Sequence, residues 1–245
     1  MAILYGIHSI EQALATRRPL ERLLVARDFS HGRAQKLVEA ARAAGVPVRF
    51  VTREELDRQT GTRSHQGVAA FVGAKHYSDL EDLIAAARSP ALFVLLDGIE
   101  DPHNLGAILR TAYCAGADGA VLPERRAAGI TAVVEKASAG ASEHLPVARV
   151  TNLNRALEQL KKAGVWLVGL DEGAQKDFTE VDLTGSIGLV LGGEGKGLHQ
   201  HVRAKCDFLV SIPTAGAIHS LNVSVAAGVV LYEAVRQRRA KGIKR

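Results

Sequence analysis

Aromatic side chains are scarce in this chain: six Phe, four Tyr and one Trp among 245 residues. That argues against a row of stacked bases as the main mode of binding a nucleic acid. Phosphate contacts and shape would have to carry such affinity. Cysteine is equally sparse. Cys114 and Cys206 sit in apolar stretches without metal-ligand spacing, so no metal is expected. Both are read as reduced core thiols of a cytoplasmic protein. No apolar run reaches membrane-spanning length, and Met1 leads into Ala2-Ile-Leu-Tyr-Gly without a signal-peptide pattern, so no membrane partner is expected. Internal repeats and low-complexity tracts are also missing. What is present is length enough for one large or two modest domains, and a basic balance of +5 with a pI near 9.4. That balance favours a polyanionic partner.

Residues 1–72 read as a small α/β domain. A helix is expected from Ser9, a strand at Arg22–Ala26, a helix over Arg33–Ala44 stopped by Gly45, and a strand at Val46–Val51. Thr52-Arg-Glu-Glu has capping-box spacing and starts a further helix. Gly67–Val72 is a last strand. Just before it lies the polar loop Arg63-Ser64-His65-Gln66-Gly67. Arg63, His65 and Gln66 are candidates for touching nucleic-acid backbone or base edges, although a solvated loop has the same composition. Arg17, Arg18, Arg22, Arg27, Arg33 and Lys36 add positive charge, which by itself marks only a solvated face. Residues 73–90 read as a linker with a short helix at Asp79–Arg88.

From Ala91 onward strands and helices alternate, predicting a mostly parallel sheet with helices on both faces. Strands are expected at Leu92–Leu96, Ala120–Leu122, Val165–Leu170, Ile187–Leu191 and Phe208–Ile212. Helices are expected at Pro102–Ala115, Ile130–Ala137, Leu153–Ala163 and Ser220–Arg238. In such sheets the site lies outside the carboxyl ends of the strands, and three polar motifs fall there. The first runs from Asp97 to Arg110. Asp101 before Pro102 starts its helix, and Gly106 lies one turn below Arg110, leaving room for the guanidinium. The second is Leu191-Gly-Gly-Glu-Gly-Lys-Gly-Leu198, an acid among glycines, as expected where backbone presses on a ligand. It lacks the spacing of a Walker A loop or of a dinucleotide fingerprint. The third crosses Ile212-Pro213 and a Gly-containing loop (214–219), then enters a nearly all-apolar helix. Ser220 is read as its cap, Asn222 lies in the first turn, and the remainder is expected to be buried on all sides. An ordinary capped connection would share these features.

Together and in this order, Asn104-Leu-Gly-Ala-Ile-Leu-Arg110, Leu191–Leu198 and Ile212–Gly228 resemble the three motifs of the SpoU family of RNA ribose 2′-O-methyltransferases. Tyr5–Leu14 and the Ser-His-Gln-Gly loop resemble the RNA-binding domain, similar to ribosomal protein L30e, found in part of that family. The resemblance implies a small L30e-like RNA substrate-binding domain (1–72), a linker (73–90) and a SpoU-type methyltransferase domain (91–245). The fold it implies is α/β, with a mostly parallel sheet and a C-terminal trefoil knot of the SPOUT kind. It implies S-adenosylmethionine as methyl donor, a homodimer, and methyl transfer to the ribose 2′-hydroxyl of a guanosine in 23S ribosomal RNA. By position it assigns Asn104, Arg110, Glu194, Ser220 and Asn222 to catalysis, and Gly192, Ile212 and Leu221 to the donor. Thr214 departs from the family, which usually has Met after Ile-Pro. The rival expectations are a tRNA ribose methyltransferase of the same family and a non-catalytic RNA-binding or ribosome-assembly module. A nicotinamide-nucleotide enzyme is disfavoured by the missing phosphate fingerprint.

Overall fold

The computed structural model describes residues 2–29, 32–73, 76–195, 197–216 and 220–243. Lys196, the stretch 217–219 of the third motif, Lys244, Arg245 and the side chain of Arg33 lie outside the described residues. The chain forms two compact units. The first opens with β1 (Ala2–Tyr5), α1 (Ile7–Ala15), β2 (Leu20–Ala26), α2 (Gly32–Ala43), β3 (Val48–Val51), α3 (Arg53–Thr60) and β4 (Val68–Val72). The chain then enters the second unit with α4 (Leu80–Ala85), β5 (Leu92–Asp97), α5 (Pro102–Cys114) and β6 (Gly119–Pro123). It returns to the first unit for α6 (Ala132–Ala137). It ends in the second with β7 (Val147–Val150), α7 (Leu153–Lys162), β8 (Trp166–Leu170), β9 (Lys176–Asp177), β10 (Ile187–Gly192), α8 (Gln200–Arg203), β11 (Phe208–Ser211) and α9 (Val223–Ala240).

The first unit is built on a four-stranded mixed sheet of order β1-β4-β2-β3, in which only β2 and β3 run parallel. Leu23, Val25, Ala70 and Val72 pack on one face with Ile10, Leu37 and Ala41. Leu24, Ala69 and Phe71 pack on the other with Leu56 of α3 and Ala132. Thr52 caps α3, its Oγ1 accepting from the Glu55 amide at 3.3 Å. Ser9 does not cap α1, which starts at Ile7 with Gly6 at the cap position. Ser9 is buried, and its hydroxyl donates to the Glu135 carbonyl. Arg18 is likewise no solvated charge: it pairs with the buried carboxylates of Glu135 and Glu143. Residues 130–144 thus belong to the first unit through specific polar contacts as well as packing.

The second unit is a seven-stranded sheet of order β7-β6-β5-β10-β8-β11-β9, parallel at every pairing. The uninterrupted apolar run of β5 suits a strand covered on both sides. Phe93 and Leu95 face a core with α4, α7 and Val202 of α8. Leu92, Val94 and Leu96 point to the opposite face by alternation and are equally buried. On that side α9 packs against α5 and β10. The last helix departs from the sequence reading in two respects. Its cap is Asn222 rather than Ser220, and the helix begins at Val223. Nor is it buried all round: Val225 and Tyr232 are half exposed, as is Tyr113 on α5. Cys114 is exposed rather than a core thiol, whereas burial pushes the Cys206 thiol up to about 12.

Near its carboxyl end α9 sends Arg238 into the interior. This guanidinium is buried and donates to the main-chain carbonyls of Leu183, Ala91 and Gly185, at 3.1, 2.9 and 2.6 Å. It ties the helix to the amino ends of β5 and β10. Arg238→Leu strands the Leu183 and Gly185 acceptors, while the Ala91 carbonyl keeps the Ile187 amide at 3.0 Å, and should cost about 3 kcal/mol. Urea unfolding followed by circular dichroism measures it. A loss below about 1 kcal/mol would mean that water reaches the carbonyls instead.

Candidate active site

Three loops at the carboxyl edge of the parallel sheet meet around a cavity of about 640 Å³. Leu170 and Asp171 after β8, Gly192 to Glu194 after β10, Ile212 and Thr214 after β11, and Ser220 to Val223 before α9 form its walls. The volume falls within the range of small-molecule and cofactor sites.

The loop after β10 owes its shape to glycine. Gly197 N–H donates to the Gly193 carbonyl at 3.1 Å, closing a tight hairpin. A Cβ on Gly192 would lie 2.1 Å from the Gly197 carbonyl carbon, and one on Gly193 would lie 2.2 Å from the Gly98 oxygen. Gly195 and Gly197 also take left-handed backbone conformations, φ 76° and 61°, which glycine adopts without strain. Backbone packs on backbone here, and the loop delivers Glu194 to the cavity edge.

Glu194 is gripped by residues of the other two motifs. Asp101 caps α5, its carboxylate accepting from the amides of His103 and Asn104 at 3.1 and 3.2 Å, and Pro102 occupies the first turn. That places the buried Asn104, whose side-chain amide donates to Glu194. Asn222 divides its two ends. Its oxygen caps α9 by accepting from the Ser224 amide at 2.9 Å, while its nitrogen donates to Asn104 at 2.9 Å and to Glu194 at 3.3 Å. Asn104, Glu194 and Asn222, 118 residues apart at the extremes, form one hydrogen-bonded triangle. Two amides donating to a carboxylate hold the ring together by charge-assisted bonds.

The remaining candidates distribute unevenly. Gly192, Ile212, Leu221 and Ser220 line the cavity, and Ser220 is exposed there. Arg110 is not brought to the triangle or the cavity wall. It lies exposed on α5, one turn from Tyr113 and Cys114 on the same face. In the first unit Arg63 is almost fully exposed, while His65 is not available to a ligand. His65 is buried, Nδ1 accepting from the Gly67 amide and Nε2 facing Asp57, both at 2.9 Å. Held from both sides, the ring braces the loop. Gln66, at φ 56°, accepts from the Ile7 amide through Oε1 at 3.1 Å. Lys136 donates to the Ser64 carbonyl and sits over the Tyr5 ring, with burial holding its pKa below the usual lysine value. Sequence reading passed over Lys136, and also over Asp171 in the cavity wall. The position of Asp171 at the carboxyl end of a parallel strand was the available signal.

The same architecture occurs in the SpoU methyltransferase AviRb from Streptomyces viridochromogenes, solved in complex with AdoMet. That structure superposes with a TM-score of 0.84 at 30% identity, covering 97% of this chain and 90% of the other. Residues 3–78 match the model for RNA 2′-O ribose methyltransferase substrate binding. Fold and site are therefore those of an RNA methyltransferase. Residues 91–232 match the SpoU rRNA methylase family model, and the chain belongs to that family. Its relatives include proteins named 23S rRNA (guanosine-2′-O-)-methyltransferase RlmB. The one from Coxiella burnetii is 44% identical over 241 residues, covering 97% of this chain and 96% of the relative. The one from Xanthomonas campestris is 49% identical over 219 residues, 88% of each.

Gly193→Ala tests the backbone contact beneath the site. The added methyl meets the Gly98 main chain, which cannot swing aside, so the loop must shift at a cost of about 1–3 kcal/mol. Hydrogen exchange should quicken at residues 193–198 while the amides of β7 keep their protection. Unchanged protection at 193–198 would show that the loop has slack.

Proposed function

We propose that this protein transfers a methyl group from S-adenosylmethionine to the ribose 2′-hydroxyl of a guanosine in 23S ribosomal RNA. The observation that carries the reading is the Asn104–Glu194–Asn222 triangle, which joins all three family motifs at the edge of a cofactor-sized cavity. High identity over nearly the whole length to relatives named for that reaction supports the choice of RNA. Main-chain groups around Gly192, Ile212 and Leu221 hold the donor, and the cavity has the volume for it. When bound, S-adenosylmethionine supplies a methyl group already activated by its positive sulfur. The protein's share is to align the ribose oxygen and ease the loss of its proton. Asn104, Glu194, Ser220 and Asn222 fix the ribose and its phosphate. Arg110 stabilises the negative charge developing on the oxygen, since a guanidinium keeps its own proton near neutrality. Residues 1–72 receive the RNA, with Arg63 and Gln66 at the exposed loop. Residues 91–245, apart from the 130–144 segment that joins the first unit, carry the chemistry, with β10 between β5 and β8 as part of a C-terminal trefoil knot.

The working form is a homodimer in the cytoplasm. Val225 and Tyr232, seven apart on α9, and Tyr113 on α5 leave an apolar face open, and Arg110 lies on the same side of α5 as Tyr113. A second copy covers that face and brings Arg110 of one copy to the cavity of the other. This explains why Arg110 lies off the cavity wall of its own chain.

Labelled S-adenosylmethionine incubated with RNA from cells lacking the protein should yield 2′-O-methylguanosine in 23S rRNA. Label in tRNA would overturn the substrate. Absence of both label and donor binding would leave a non-catalytic RNA-binding module. In the same assay Arg110→Ala should lower turnover about 100-fold or more while donor affinity holds. Near-normal turnover would remove Arg110 from the chemistry. Tyr232→Asp should give a monomer by light scattering and the same loss of turnover. A wild-type protein that is monomeric at micromolar concentration would refute the dimer.

A further inference from the structure

We propose that Asp97 is the positioning residue of the Glu194 loop, and that donor affinity depends on it although it is no part of the cavity wall. The inference rests on the methyltransferase reading above. Asp97 ends β5, and its side chain is 8% exposed. Its main-chain carbonyl accepts from the Gly193 amide at 2.8 Å, where the loop begins. Its carboxylate accepts from the His199 amide at 2.8 Å and from His199 Nδ1–H at 3.0 Å, where the loop ends. One residue therefore clamps both feet of the segment that carries Glu194 and walls the cavity at Gly192–Gly195 and Gly197–Leu198. The space around Asp97 is cleared for this purpose. The next residue, Gly98, turns away at φ 79°. A Cβ there would approach His199 Cε1 at 3.4 Å, so the ring lies against the bare backbone. The triangle holds the tip of the loop through Glu194, and Asp97 holds its base.

Both carboxylate oxygens serve a single residue, so their loss has a local consequence. Without them the His199 amide lacks its acceptor and the carboxyl end of the loop is free to drift. A shift of about 1 Å in a site of this kind costs up to ~100-fold in function. Asp118 is the matched control. It immediately precedes β6 and reaches the amino end of β5, with a side chain 4% exposed. Its carboxylate accepts from the Leu92 amide at 2.8 Å and pairs with Arg88 at 2.8 Å.

The experiment is titration calorimetry of S-adenosylmethionine into each full-length variant, together with melting temperature and hydrogen exchange. Asp97→Ala should raise the donor Kd about tenfold and quicken exchange at 193–198, with the RNA KM unchanged. His199→Ala keeps the main-chain amide bond and should raise Kd about threefold. Asp97→Asn retains an acceptor oxygen and presents an NH₂ to the opposite tautomer of His199, so it should bind within about twofold of wild type. Asp118→Ala should lower the melting temperature without moving Kd. Wild-type affinity in both Asp97→Ala and His199→Ala overturns the inference. So does an Asp118→Ala that loses as much affinity as Asp97→Ala, since a general loss of stability would then account for both. A wild-type protein that does not bind the donor overturns the functional reading itself.

Discussion

Everything at the carboxyl edge of the parallel sheet depends on backbone meeting backbone beneath the Glu194 loop. Gly193 lies against the Gly98 carbonyl and Gly192 against Gly197, at distances no side chain permits. Such contact needs glycine on the approaching strand and leaves no space for water between the chains. It brings the end of β10 against the end of β5, two neighbouring strands 95 residues apart in sequence at Leu92 and Ile187. From that junction the hairpin can aim Glu194 only in one direction, toward Asn104 and Asn222. Polar recognition is built on this steric base: a carboxylate receiving two amide donors from two different helices.

The helices that supply those amides are placed by their caps. Asp101 sets the first turn of α5 and thereby the height of Asn104. Asn222 caps α9 with its oxygen while its nitrogen serves the triangle. A single side chain thus couples where a helix begins to where a functional group points. Capping groups are usually stabilising features worth about 1 kcal/mol. Here one of them is also part of the candidate catalytic ring, so its loss would be felt in the site before it was felt in the fold.

The first unit follows a comparable rule with different chemistry. The loop of residues 63–67 is rigid because its interior groups are used up. His65 is spent between Asp57 and Gly67, Gln66 on the Ile7 amide, and the Ser64 carbonyl on Lys136. Arg63 alone of the candidates there keeps a fully open side chain, paired with Asp57 only loosely at 3.9 Å. A charge presented on a fixed loop suits a phosphate better than one on a mobile loop, since less ordering entropy is lost on binding.

Local pattern was enough for much of this protein. The period of apolar residues and the turn glycines located β5, β10, α5 and α7 to within a residue or two, and Asp101-Pro102 marked the start of α5. The glycines around Glu194 signalled a pressed backbone, which holds at Gly192 and Gly193, while Gly195 and Gly197 serve left-handed turns. These properties are set by neighbours in the chain, so the sequence alone determined them. Tertiary structure decided what depends on distant partners. His65, polar and in a loop, became a buried brace because Asp57 and the Gly67 amide converge on it. Ser220 lost the cap to Asn222, whose nitrogen had Asn104 and Glu194 to bind. Val225 and Tyr232 were left open on a helix whose composition suggested full burial, because α9 turns other faces toward β10 and α5. Residues 130–144 joined the first unit because Arg18 and Glu135 meet there across 117 positions. Burial and pairing are properties of the surroundings that folding assembles, and short-range sequence pattern does not contain them.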